Sequence, residues 1–354
     1  MPPGVTVRVR ARSGRWRLGC ATCAAALLLV IAAEPAEAHL PGINAASTNY
    51  RTGILAVSPA IPGLEVRVAE IGGELELINR TGQQVVVLGA RLEPYLRVEA
   101  DGGVDENRRS PTWLAGRPAG SPEARSISVD PAAPPDWHRL GGGVRVVWHD
   151  HRAHWTGPDP PQVRRAPQRR QVVIPHWQVP LRVGGQTAVI TGEVIWVPGS
   201  SWWPWLAVAA ALAGVVGVGG RTRSWRLVVM VAVTVAIAAD VLHTVGALLA
   251  SVVPVLVRVY ASSPSAAGWV LGGLAVHRLL RRPDAESGLF LLLAAGFFIA
   301  FAGGLADVLA LERSQVSTAL PVGLTRATVA ASLGLGAAMV IVALLKMPRS
   351  GKAT

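Results

Sequence analysis

The sequence predicts an all-β domain outside the cytoplasm, followed by an α-helical membrane domain. This prediction rests on a difference in hydrophobic pattern between two parts of the chain. Up to residue 201, short apolar segments alternate with polar, Gly-rich and Pro-rich turns. Residues 202–347 instead form apolar segments joined by short loops. A helix of roughly 20 residues covers the hydrocarbon layer of a bilayer, so this second half predicts a bundle of five transmembrane helices.

The N-terminus has the pattern of a secretory signal peptide. Five arginines precede a short apolar run, residues 24–33, and Ala36-Glu37-Ala38 supplies a small-x-small cleavage site. We therefore predict a signal peptide over residues 1–38 that is cleaved before His39. The alternative is an uncleaved anchor, for which this apolar run is shorter than a crossing usually needs.

Processing changes what the composition implies. Removing residues 1–38 takes away five Arg and two Glu and lowers the net charge from +12 to +9. Both cysteines, Cys20 and Cys23, leave with the signal peptide, so the mature chain can form neither a disulfide nor a thiolate metal site. The richness in Arg, Ala, Gly and Pro is typical of a high-GC bacterial genome. Nucleic acid is not an expected partner for a charge excess outside the cytoplasm or in membrane loops.

Residues 39–201 have the pattern of an extracytoplasmic β domain. Short alternating strands recur from Glu65 to Val197, separated by Gly and Pro turns. The segments 74–78 and 84–88 flank the turn-forming Asn79-Arg80-Thr81-Gly82, which predicts a hairpin. A domain of this length with many short strands predicts one β-sandwich of immunoglobulin or cupredoxin type.

The membrane domain, residues 202–347, contains five predicted crossings. The third is the least apolar, because His277 and Arg278 lie near its end, and a re-entrant segment is its alternative. The five segments are 202–220, 227–250, 262–280, 289–311 and 327–345.

Loop charge predicts the orientation of these segments. Basic residues cluster on alternate connections, as five crossings with a cytoplasmic C-terminus require. The clusters are Arg221, Arg223 and Arg226; Arg278, Arg281 and Arg282; and Lys346, Arg349 and Lys352. Everything before Trp202 then lies outside the cytoplasm, with Trp202, Trp203 and Trp205 at the outer interface, and residues 348–354 form a cytoplasmic tail.

Histidines form a candidate metal site in the β domain. His149, His151 and His154 lie within Trp148-His149-Asp150-His151-Arg152-Ala153-His154-Trp155. At strand spacing, His149 and His151 share a face and Asp150 points away; a turn after His151 would let His154 rejoin them. Imidazole and carboxylate ligands suit copper and zinc. The alternative interpretation is a loop that is stabilised only by His–Asp and Trp–Arg contacts.

His39 adds a second element to the metal prediction. After cleavage, its α-amino group and imidazole can chelate one ion, and a further histidine would complete a set that suits Cu(II). Here the chain resembles periplasmic copper-binding proteins of the CopC type, which are small β-sandwiches that begin with His. That resemblance implies copper as the cofactor and a carboxylate–histidine pair late in the domain, a place that Asp150 with His151 or His149 could take. The spacing differs, and Leu40-Pro41-Gly42 departs from the usual opening of that family.

A closer resemblance rests on the segment from Trp148 to Trp155 just ahead of the first crossing. The chain is similar to uncharacterised actinobacterial multi-pass membrane proteins that carry this segment. The resemblance implies a bacterial cell-membrane protein with an exported β domain, and it implies no activity.

The membrane domain contains a separate set of ionisable residues. Asp240 and His243 lie on one face of the second crossing, and Asp307 lies late in the fourth. Ionisable groups in hydrocarbon are unfavourable unless they are paired or hydrated, so a shared site for an ion or a proton is one explanation. The other is an interhelical Asp–His pair that holds the bundle together.

No signature of an enzyme is present, and we predict a non-catalytic protein. Two functions follow. The first is an envelope protein that binds copper or another divalent metal for uptake, delivery or homeostasis. The second is an envelope protein whose β domain binds a protein or polymer partner while the helices act as an anchor. The lipid bilayer is a partner in both.

Overall fold

A computed structural model describes residues 47–71, 73–117, 129–252, 255–281 and 286–347 of the chain. The predicted signal peptide, His39 and the tail 348–354 lie outside these residues. Within them, a β-rich region precedes a helical region, which confirms the predicted order.

The β region consists of two antiparallel sheets. The larger has the strand order β1-β10-β9-β4-β5-β6-β7 and the smaller β2-β3-β8. The strands are β1 (Tyr50–Ser58), β2 (Leu64–Glu70), β3 (Glu74–Asn79), β4 (Val85–Leu88), β5 (Pro94–Val98), β6 (Gly103–Asn107), β7 (Trp137–Gly142), β8 (Arg145–His149), β9 (Gln171–Val183) and β10 (Gln186–Trp196). Two short helices, α1 (Pro111–Ala115) and α2 (Pro161–Arg165), lie between strands.

Both sheets contribute to one hydrophobic core. In the small sheet, Leu75 and Leu77 of β3 pair with Trp148 and Val146 of β8, and all four side chains are buried. Residues of β4 and β9 from the large sheet belong to the same cluster. Alternating apolar residues therefore place one face of each sheet against a common interior, where removal of apolar surface from water stabilises the fold.

The predicted hairpin between residues 74–78 and 84–88 is wrong. β3 pairs with β2 and β8, whereas β4 pairs with β5 and β9 in the other sheet. The turn residues are present, since Asn79 accepts hydrogen bonds from Thr81 and Gly82 has φ +70°. The chain uses this turn to cross between sheets. β4 is a central strand of the large sheet, with β5 on one edge and β9 on the other, and all four of its residues are buried.

The helical region contains helices of very different polarity. Three are long and apolar enough to cross a membrane: α4 (Trp225–Ala250), the helix over Glu286–Leu305, and α8 (Val322–Lys346). A shorter apolar helix, α3, spans Trp203–Gly219. The predicted third crossing is one continuous helix, α6 (Ser263–Arg281), which is less apolar than the others. A short helix, α5 (Val255–Ala261), precedes it.

The helix over Glu286–Leu305 changes its winding. Its first part, α7 (Glu286–Ala300), is α-helical, and Phe301–Leu305 form a π-helical turn. A 3₁₀ turn, Val308–Leu311, follows. Glycines let the neighbouring helices approach closely, since a Cβ on Gly296 would lie 2.6 Å from the carbonyl oxygen of Gly336 on α8.

The two ends of the β region meet the loop that precedes α8. The Asn49 side chain accepts a hydrogen bond from Ser314 N (2.8 Å), and Ser200 N donates to the carbonyl oxygen of Glu312 (2.8 Å). Thr48 and Gln315 form an antiparallel bridge. The β region therefore lies against the end of the bundle where α4 ends and α8 begins.

Candidate metal centre

The end of β8 and the turn after it place three histidines together. His149 is the last residue of β8 and pairs with Glu74 of β3. The next residue, Asp150, caps a 3₁₀ turn over His151–Ala153 by accepting a hydrogen bond from Arg152 N (3.1 Å). This turn reverses the chain, so that His154 returns beside His149.

The three imidazoles are close enough to share one metal ion. Their ring centroids are separated by 4.2 Å for His149 and His154, 5.0 Å for His149 and His151, and 5.5 Å for His151 and His154. One ring nitrogen from each lies within 4.8 Å of the other two. A tetrahedral ion bound at about 2.1 Å from each nitrogen needs nitrogens about 3.4 Å apart, which small side-chain rotations can reach. We call these residues the histidine triad.

Backbone carbonyls orient two of the rings. His154 Nδ1 lies 3.0 Å from the carbonyl oxygen of Asp150, and His151 Nε2 lies 3.2 Å from that of Ala115. A carbonyl oxygen only accepts, so both ring nitrogens must carry the hydrogen. The lone pairs are then on His154 Nε2 and His151 Nδ1. Carbonyl contacts of this kind fix the tautomer of metal-binding histidines.

Two rings of the triad are held uncharged. Burial lowers the pKa of His149 to about 4, and the neighbouring His154 and His151 lower it further. Burial also lowers the pKa of His154. At neutral pH both imidazoles are therefore neutral, which is the form that binds metal ions.

Asp150 has a different environment from the triad. Its carboxylate is buried and accepts hydrogen bonds from Trp148 Nε1 (3.1 Å) and from Arg152 Nε and Nη2 (2.8 Å each). Burial alone would raise the pKa of Asp150, but the Arg152 guanidinium outweighs it and keeps the pKa below its ordinary value. Arg152 also donates to the carbonyl oxygens of Leu88 and Gly89, so the pair ties the triad loop to the end of β4.

Two residues that sequence reasoning missed support the triad. Gly73 has φ +100°, and a Cβ there would lie 2.7 Å from both Cβ and Nδ1 of His154. The Thr52 hydroxyl donates to the carbonyl oxygen of Ala153 inside the 3₁₀ turn. Thr52 also lines a cavity of about 260 Å³ together with Ile71, Ala250 and residues 315–318, so the triad loop adjoins the space between the β region and the bundle.

The ionisable residues of the bundle are brought near one another but have separate partners. His243 Nε2 lies 3.0 Å from Asp307 Oδ2, and His243 Nδ1 lies 3.5 Å from the Thr328 hydroxyl. Asp240 Oδ2 instead accepts a hydrogen bond from Trp269 Nε1 at 2.6 Å. His243 and Asp307 line a cavity of about 230 Å³. Among the described residues, the histidine triad is the one group of His, Cys, Asp or Glu spaced to hold a metal ion.

Comparison with known proteins gives no match. No protein-family model matches the chain, and neither a curated protein nor a solved structure matches it. The geometry of the described residues therefore carries the functional argument.

Proposed function

We propose that this chain is a bacterial envelope membrane protein whose β domain binds one divalent transition-metal ion, copper in the first instance, through His149, His151 and His154. The observation that supports the proposal is the spacing of the triad, with one nitrogen from each ring within 4.8 Å of the others. The neutral rings of His149 and His154, and the two tautomers set by backbone carbonyls, add to it.

The ligand chemistry favours copper or zinc over harder ions. Imidazole nitrogen suits Zn²⁺ and Cu²⁺, whereas Mg²⁺ and Ca²⁺ prefer oxygen. The Asp150 carboxylate already accepts hydrogen bonds from Arg152 and Trp148. We therefore propose that the three imidazoles, without Asp150, bind the ion in this loop. Cu(II) binds more tightly than the other divalent first-row ions to a given nitrogen site. His39, after signal-peptide removal, is the proposed further ligand.

We also propose that the chain crosses the membrane five times and that its C-terminus is cytoplasmic. The β domain contacts the loop at Glu312–Gln315 and shares a cavity with Ala250. In the proposed topology both connections lie on the same side of the membrane as the β domain, outside the cytoplasm. At the opposite end of the bundle, the Lys346 ammonium lies 5.3 Å from the centre of the Trp225 ring, beside the basic connections. Positive charge on that side agrees with the positive-inside rule. The β domain is proposed as a sandwich of immunoglobulin or cupredoxin type.

Uptake, delivery or homeostasis of the ion is the proposed physiological role. The triad loop contacts Thr52, which lines the cavity between the β domain and the bundle. An ion that is captured outside would therefore be held close to the membrane surface.

Titration of the purified full chain in lipid nanodiscs with Cu(II) and Zn(II) tests the proposal. We expect binding of one ion per chain and a loss of at least about tenfold in affinity for His149→Ala or His154→Ala. His176→Ala is the matched control, because His176 is exposed on β9 and lies outside the triad. Equal affinities for the triad variants and the control would refute the triad as the site.

The N-terminal chelate needs its own comparison. A chain with one residue added ahead of His39 loses that chelate but keeps the triad. We expect it to bind copper more weakly than the native mature chain and more tightly than the triad variants. If the extension abolishes binding while the triad variants bind normally, the ion is bound at the N-terminus and the proposal is wrong.

A further inference from the structure

Asp240 is a buried carboxyl group with one oxygen unsatisfied. It lies within α4 and is completely inaccessible to solvent. Trp269 of α6 donates to Oδ2, whereas Oδ1 has no hydrogen-bond partner among the described residues. A buried oxygen without a partner in the native state calls for an explanation.

A second unsatisfied oxygen lies at the same place. The Ser332 hydroxyl of α8 is also fully buried and has no hydrogen-bond partner within the described chain. Both oxygens surround the position that a Cβ on Gly303 would occupy, Asp240 Oδ1 at 1.6 Å and Ser332 Oγ at 3.2 Å. Gly303 belongs to the π-helical turn, a feature frequently found at functional sites. The missing side chain is what lets the carboxyl group occupy this space.

No cation neutralises Asp240. Among the described residues, no Lys or Arg forms a salt bridge with it, and no group of His or carboxylate side chains joins it at metal-binding distances. An isolated carboxylate in a membrane interior is strongly unfavourable. The neutral carboxylic acid is much less unfavourable there, because protonation removes the charge.

We propose that Asp240 is a proton-binding site: at neutral pH it is held as the neutral carboxylic acid, and it exchanges its proton with water in the cavity lined by His243 and Asp307. The inference does not depend on metal binding by the histidine triad.

Two ionisable groups near Asp240 line the cavity from which its proton would be exchanged. His243 lies one turn further along α4, and it and Asp307 are near enough to act electrostatically on Asp240. These are the titratable groups recorded next to Asp240 in the described chain, while α6 and α8 face it with Trp269, Ser265 and Ser332. The His243–Asp307 pair lines the cavity, and 44% of the Asp307 side chain is exposed. Exchange by way of His243 is part of the proposal: rotation of the ring away from Asp307 or Thr328 would let the imidazole relay a proton from cavity water to Asp240.

Infrared difference spectroscopy on the metal-free full chain in nanodiscs tests the proposal. A protonated carboxyl group absorbs separately from a carboxylate, so at neutral pH we expect a protonated-carboxyl band that Asp240→Asn removes. Asparagine has the shape of the neutral acid, and we expect this variant to fold normally. Asp136→Asn, at an exposed carboxylate of the β domain, is the matched control and should retain the band. Identical spectra for wild type and Asp240→Asn would overturn the proposal.

Two further measurements test the surroundings of the carboxyl group and its exchange with water. Ser332→Ala should shift the position of the band, since it removes a polar hydroxyl group beside the carboxyl group; an unshifted band would contradict the placement of Ser332 next to Asp240. Transfer of the wild-type chain to heavy water should shift the band as deuterium replaces the proton, and His243→Gln should slow this exchange by about tenfold or more. Exchange at the wild-type rate in that variant would contradict the route through His243.

Discussion

Glu76 and Asp150 in the β domain and Asp240 in the bundle are buried carboxyl groups with opposite surroundings. In the β domain, Glu76 contacts Arg67 and Arg145, and Asp150 contacts Arg152, so both are anions with cationic partners. In the bundle, Asp240 has a tryptophan N–H and a serine hydroxyl beside it and no cation recorded among the described residues. In the first arrangement arginines keep the carboxylates charged, while burial keeps His149 and His154 beside Asp150 neutral. The second arrangement favours a proton.

The largest expected effect comes from removing the cation beside Asp150. Arg152→Met leaves a buried carboxylate without its partner, and loss of one member of a buried ion pair lowers the free energy of unfolding by about 3 kcal/mol or more. The triad loop also loses its contacts with Leu88 and Gly89, so metal affinity falls. Denaturation of the β domain followed by tryptophan fluorescence measures the change. Arg164→Met, at an exposed position of α2, is the control and should leave stability within about 0.5 kcal/mol of wild type.

The glycine beside Asp240 gives the next largest effect. Gly303→Ala would place a Cβ 1.6 Å from Asp240 Oδ1, so the π turn or α4 must move. We expect this to lower the free energy of unfolding by about 1–3 kcal/mol. Thermal unfolding of the bundle in nanodiscs measures the loss. Gly273→Ala is the control, because nothing lies within 4 Å of a Cβ there. If both variants unfold at the same temperature, Asp240 is not packed against Gly303 as described.

Acid should weaken the β domain through Glu76. Burial alone would raise the pKa of Glu76, but hydrogen bonds from Arg67 and Arg145 outweigh it and hold the pKa below its ordinary value. The carboxylate therefore stabilises the fold above its unfolded pKa of about 4.3, and this stability is lost as the pH falls through the lower folded pKa.

Glu76→Gln tests this dependence. At neutral pH it should lower the free energy of unfolding by about 2 kcal/mol, and the deficit should shrink as the pH falls below about 4. Denaturant titrations of the two chains at several pH values measure it. Glu65→Gln, in an exposed pair with Arg80, should change stability by less than about 1 kcal/mol at any pH. A deficit for Glu76→Gln that is constant with pH would contradict the account.

The smallest stability effect is expected at Gly73, where metal affinity is the sharper measurement. Gly73→Ala combines a positive φ with a contact of 2.7 Å between the new Cβ and His154. It should lower the free energy of unfolding by about 1–2 kcal/mol and weaken metal binding about tenfold. Gly82→Ala shares the positive φ but has nothing within 4 Å of the new Cβ. It should lose similar stability and keep full affinity. Equal affinity in the two variants would mean that Gly73 does not position His154.

Local patterns predict part of this structure. Apolar segments long enough to cross a bilayer predict α4, the helix over Glu286–Leu305 and α8, because each is a continuous apolar segment with few charged residues. Strand alternation predicts the β region and the orientation of Asp150 away from His149. The return of His154 depends on a turn after His151, which the sequence allows, and Asp150 caps the 3₁₀ turn that is found there.

Contacts between distant segments could not be predicted in this way. The turn at Asn79–Gly82 has the residues of a hairpin, yet pairing across two sheets decides where β4 goes. The sequence grouped Asp240 with His243 and Asp307 by their polarity and depth. The hydrogen bond of Asp240 with Trp269 and the contact of Asp240 with Gly303 depend on the packing of α4 against α6 and the π turn. The spacing of residues within one helix cannot predict such packing.

The most direct test of the central claim is X-ray absorption spectroscopy of the full chain with one equivalent of Cu(II), which counts the imidazoles bound to the ion. We predict at least three imidazole ligands in the wild-type chain, and a loss of two or more of them when His149, His151 and His154 are all replaced by alanine. An unchanged copper environment in that triple variant would contradict the account.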